Sequence, residues 1–159
     1  MRIFRDNKGR SWEVVLNVHQ IKRVRAALGV DLVNVITLDK DGAVKVDLID
    51  RIANDPCLLV DILYIISEAQ AQKIGVNDVE FGESLAGDAI EEATKAFLDE
   101  LVDFFPAARR LFLKKAVDIA RKFAGEWTSA LEKALNDPAF DERIAQSISS
   151  SASSPESSV

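Results

Sequence analysis

Asp55-Pro56-Cys57-Leu58-Leu59-Val60-Asp61-Ile62-Leu63-Tyr64-Ile65-Ile66 opens the stretch that decides the fold, and Lys73-Ile74-Gly75 closes it. Asp55 is an N-cap acceptor, and Pro56 fits the first helical position, where its missing N–H costs nothing. Gly75 supplies the left-handed residue that commonly ends a helix. Between these signals Leu59, Ile62, Leu63 and Ile66 form one apolar face, and Leu58, Val60 and Ile65 fill much of the rest. A helix apolar nearly all round is expected to be buried on several sides. The reading is a central helix over 55–73, with Asp61 at an exposed edge near its positive end.

On the N-terminal side the periodicity changes. Trp12, Val14, Leu16 and Val18 occupy alternate positions, and Asp6-Asn7-Lys8-Gly9 is a turn signal. Period two marks a strand with one buried face, so a hairpin is expected over residues 2–6 and 11–17. Ile21, Val24 and Leu28 then follow at helical spacing, and Gly29 ends that helix, 19–28. Val33 and Ile36 extend a second short helix through 31–36. Asp39-Lys40-Asp41-Gly42 is a turn; a calcium loop would place its glycine later and close on Glu, where this chain has Asp50. Val44 and Val46 read as a short strand, and Leu48, Ile49 and Ile52 as a helical turn.

On the C-terminal side Asn77 with Glu80 approximates a capping box for a helix over 78–86. Asp88 caps the next helix, 89–105, whose stripe is Ile90, Ala93, Phe97, Leu101 and Phe104; Pro106 breaks it. A long helix is expected over 107–135. Its seam, Leu113, Ala116, Ala120, Phe123, Trp127, Ala130 and Ala134, alternates spacings of three and four. Asp137-Pro138 is a break, and Phe140 and Ile144 form one more turn. From Ser147 the chain is nearly all serine and cannot bury enough apolar surface to order itself. The fold class is mostly α (α+β): a small N-terminal β-hairpin packed on a helical bundle, a long C-terminal helix and a disordered tail. One mainly helical domain spans 1–146, with the hairpin at 1–18, the helical core at 19–105 and the long helix at 106–135, and the tail is 147–159.

Composition narrows function. The 159 residues carry a formal net charge of −6. Nucleic-acid binders concentrate basic residues to neutralise phosphates. Here Lys22-Arg23-Arg25, Arg109-Arg110 and Lys114-Lys115 read as solvated helix faces, so no nucleic-acid partner is expected. The first residues hold no apolar core of signal-peptide length. The longest apolar run, Cys57 to Ile66, is broken by Asp61 and is about half of a membrane span. A cytoplasmic protein without membrane attachment is expected, in the host cell if the protein is viral. The one histidine, His19, sits at a strand-to-helix junction, and the one cysteine, Cys57, reads as a buried apolar thiol rather than a reactive one. Acidic residues such as Asp88, Glu91, Glu92, Asp99, Glu100 and Asp103 fall at caps and on polar helix faces. Glu91 and Asp99 share a face as on any acidic amphipathic helix. No catalytic, metal or cofactor site is expected, and the chain is not expected to be an enzyme.

The order of elements carries a resemblance. Gly9-Arg10-Ser11-Trp12-Glu13-Val14-Val15-Leu16 is followed by Ile21-x-x-Val24-x-x-x-Leu28-Gly29-Val30-Asp31, the Asp55-Pro56 helix, Gly75-Val76-Asn77-Asp78-Val79-Glu80-Phe81-Gly82 and a final helix pair joined at Phe104-Phe105-Pro106. Over residues 1–105 this resembles the small tail assembly chaperones of tailed phages and gene transfer agents. The resemblance implies a protein that binds the tape measure protein, with tail tube subunits as the other candidate partner, and keeps that long helical client soluble during tail assembly. It carries over no residue-level motif. The alternative is another helical interaction or structural module, and self-association is compatible with both. Phe123, Trp127 and Leu131 are the candidate partner-binding residues. Up to Phe123 the stripe reads first as packing on the protein's own core; at Trp127 and Leu131 core and interface weigh equally.

Overall fold

In the computed structural model, which describes residues 1–152, the order is β1 (Arg2–Arg5), β2 (Ser11–Val14), α1 (Val18–Leu28), β3 (Thr37–Leu38), β4 (Val44–Lys45), α2 (Asp47–Asn54), α3 (Pro56–Ile74), α4 (Asp78–Glu83), α5 (Asp88–Phe104), α6 (Ala107–Leu135) and α7 (Phe140–Ala152). The protein is mostly helical with small β-hairpins. It divides into two units, Met1–Asp118 and Ile119–Val159. The physical reason is burial: among the described residues every buried apolar side chain lies at or before Val117.

The first unit is built around α3. The Asp55 carboxylate accepts from the Leu58 N–H, and Gly75 ends the helix at φ 72° with its N–H on Ala71 and Gln72 carbonyls. Leu59, Ile62, Leu63 and Ile66 are buried, as their spacing requires, and α1, α2, α4, α5 and β2 all pack on this helix. Elements pack on several sides of α3, as expected, but its outer face is less covered. Leu58, Val60, Tyr64 and Ile65 are only partly buried, and Cys57 and Asp61 are exposed. Cys57 is thus no core thiol: it lies one helical turn before Asp61, on the side away from Leu59 and Leu63.

β1 and β2 pair antiparallel with Phe4 opposite Trp12, which puts Phe4, Trp12 and Val14 into the core against α5 and α3. The strand stops at Val14, short of the expected 17. Leu16 still points inward, while Val18 is exposed. The turn is an anchor as well as a reversal. Asp6 Oδ1 accepts from the Lys8 and Arg10 backbone N–H groups, and Oδ2 accepts from Arg10 Nε at 2.7 Å and Trp12 Nε1 at 2.9 Å. Arg10 Nη1 reaches Glu80 at 2.7 Å, and Trp12 meets Phe81 edge-on at 4.7 Å, so the turn is clamped to α4. Burial pushes the Asp6 carboxyl up, but the hydrogen bonds from Trp12 and Arg10 and the Arg10 charge outweigh it and hold the carboxyl below its ordinary value. Hydrogen bonds from Lys8 and Arg10 likewise hold Glu80 low.

Several local expectations are corrected. Residues 31–36 form turns, not a helix: the Asp31 side chain accepts from the Val33 N–H and from Asn34 Nδ2, and β-branched residues follow. Thr37–Leu38 then pairs with Val44–Lys45, while Val46 becomes the N-cap of α2. Asn77 caps α4 through the Glu80 N–H, but the Glu80 carboxylate turns to Lys8 and Arg10, so only half of a capping box forms; α4 ends at Glu83. Asp88 is the first residue of α5, and Gly87 is the N-cap. Glu100, expected on a polar face, is buried; its Oε1 accepts from the Leu16 N–H, and its Oε2 lies 2.8 Å from the Met1 amino group.

Within the second unit the end of α6 and all of α7 are helical, and no described residue is buried. α7 runs well beyond the single turn expected. Ser147 to Ala152, expected in the disordered tail, continue it: the hydroxyls of Ser149, Ser150 and Ser151 donate to carbonyls three residues back. Residues 153–159, the rest of that expected tail, lie outside the described residues.

Candidate interaction surfaces

Among the described residues of the second unit none is buried, and its apolar side chains lie at the surface. Phe123, Trp127 and Leu131 are 67%, 69% and 45% exposed, one turn apart along α6. Ile119 precedes them and Leu135 follows, both exposed. Spacings of four put these side chains on one side of the helix, drifting slowly around its axis because four residues overshoot one turn. Gly125 lies within this run and a Cβ there would meet nothing within 4 Å, so no neighbour requires a glycine and its cost of about 1 kcal/mol relative to alanine is uncompensated by packing. Arg121, Lys122, Glu126, Glu132 and Lys133 carry the polar side of the same segment. On α7, Ile144 and Ile148 repeat the pattern at one-turn spacing and are also exposed. The seam expected to pack on the core up to Phe123 does so only at its start: Leu113 is buried, Ala116 and Ala120 are half-buried, and Phe123 is open.

The first unit has a groove of about 700 Å³ over the outer face of α3. Its floor includes Val60, Tyr64, Ile65, Leu85 and Ile90, and Cys57 and Val79 stand at its lip. The charged residues lining it are Asp61, Asp78 and Glu83, all acidic. A second depression continues past Tyr64 and Ile65 to Ala26 and Ala27 of α1, where Arg23 is ion-paired with Glu68.

Comparison with protein-family models, with curated proteins and with solved structures finds no match.

The other singled-out residues do not converge. His19 is exposed in the first turn of α1, whose cap is Asn17. Cys57 lines the groove over α3 and His19 does not. Glu91 is exposed and Asp99 half-buried on α5. Among the described residues no group of three His, Cys, Asp or Glu is placed to hold a metal ion, and no helix is long and apolar enough to cross a membrane. The groove was missed in the sequence although its signal was present: α3 carries more apolar residues than one core face can use.

Proposed function

We propose that this chain is a non-enzymatic protein-binding chaperone of the phage tail assembly kind, which holds a long helical client, the tape measure protein, along the apolar side of α6. One observation carries the reading: Phe123, Trp127 and Leu131 are exposed in a row on a helix. Each leaves apolar area in water at about 25 cal/mol per Å², a cost that a bound helix removes. Tryptophan is also among the residues most enriched where binding energy concentrates. An apolar ridge of one-turn spacing matches the a/d surface of a helical client, and the acidic balance of the chain favours solubility while that ridge waits for its client.

The resemblance that suggests the client covers residues 1–105, whereas the ridge lies beyond it, so the second reading is the same ridge serving a different helical partner. Co-expression with a tape measure fragment, followed by purification on the fragment, tests both. The wild type is expected to co-purify, and Trp127→Ala to lose most of that association at an unchanged melting temperature. Co-purification unaffected by Trp127→Ala, or a large loss of stability in the variant, overturns the ridge as an interface. Absence of wild-type binding to any tape measure fragment leaves the ridge and removes this client.

A further inference from the structure

α3 is apolar on more of its surface than the core covers. The buried face accounts for Leu59, Ile62, Leu63 and Ile66; Val60, Tyr64 and Ile65 are left half-buried in an open groove, with Val79 of α4 63% exposed beside them. We infer that this groove is the docking site of a short amphipathic helix from a partner protein, one that presents aliphatic anchors flanked by lysine or arginine.

Shape and charge select that occupant. From Pro56 to Ile65 the groove follows α3 for about 14 Å, the length of roughly ten helical residues and enough for anchors at i, i+3 or i+4, and i+7. Its floor is aliphatic and aromatic, without the convergent polar groups that orient a small ligand. The rim is Asp61, Asp78 and Glu83 with no basic residue among the lining side chains. Such a rim attracts cationic side chains and repels phosphates, which removes anionic lipid and nucleic acid as occupants. This site goes beyond the α6 reading and does not rest on it.

Cys57 makes the site measurable, since it is the only cysteine, is exposed and lines the groove. The probe is a helical peptide of about five turns with leucines on one face and lysines beside them; the control has glutamates in place of the lysines. In the full chain the lysine peptide is expected to slow alkylation of Cys57 by iodoacetamide about tenfold, more so at low salt, and the glutamate peptide to leave the rate unchanged. Val79→Asp separates docking from charge attraction alone. It adds an acid and removes an apolar contact, so docking weakens, whereas unspecific attraction strengthens. Val79 is exposed, and circular dichroism checks that the fold is kept. Asp61→Lys with Asp78→Lys should transfer the preference to the glutamate peptide. Equal protection by both peptides, no protection by either, or undiminished protection in Val79→Asp overturns the proposal. So does protection that grows with protein concentration alone, which would make a second copy the occupant.

Discussion

Asp6 shows how much one residue in a turn can hold. All four hydrogen bonds to its carboxylate come from N–H donors, two of the backbone and two from Arg10 and Trp12. An asparagine there can still accept on one side, but its amide nitrogen would face Arg10 Nε and Trp12 Nε1, donor against donor. Asp6→Asn is therefore expected to cost about 3 kcal/mol at neutral pH in denaturant unfolding. The pH dependence follows from the sign of the shift. The folded carboxyl lies below its ordinary value, so its stabilisation is complete above the unfolded carboxylate range and is lost as pH falls through the lower folded value. The gap between wild type and Asp6→Asn should accordingly shrink on acidification. A gap that stays constant from neutral to strongly acid pH would show that charge plays no part.

Among the elements, α3 and α6 pose the same question and answer it differently. Both carry apolar stripes, but Leu59 and Leu63 are fully buried while Trp127 is open. Leu63→Ala is expected to cost about 2–5 kcal/mol, and Val60→Ala on the groove side under about 1 kcal/mol. Equal costs at the two positions would mean that the groove face is packed like the core. The ends of these helices were legible because their signals are local: Asp55-Pro56, Gly29, Gly75 and Pro106 act through their own backbone and one neighbour. Exposure was not legible, because periodicity marks a face as apolar without saying what covers it. Cys57 was expected inside and is outside, and Glu100 was expected outside and is inside, bound to the Leu16 N–H far away in sequence. The two-residue ladder of Thr37–Leu38 with Val44–Lys45 was half legible: Val44 with Val46 suggested a strand, although Val46 caps α2, and Thr37–Leu38 carries no alternation to reveal it.

At the scale of the molecule, the division after Asp118 separates a unit with a core from a unit in which no described residue is fully buried. A chain ending at Asp118 keeps Leu113 and Val117, the last buried side chains among the described residues. It is expected to fold and to melt within error of the full chain by circular dichroism. A marked drop in melting temperature would show that residues beyond Asp118 hold the first unit together.

Tryptophan emission reports on the proposed client surface, since Trp12 is fully buried and Trp127 is 69% exposed. The difference between wild type and Trp127→Phe isolates Trp127. Acrylamide should quench that difference readily in the free chain at low concentration, and a bound tape measure fragment should shield it. If Trp127 is shielded already in the free chain, or stays fully quenchable with the fragment bound, the α6 ridge is not where the client sits.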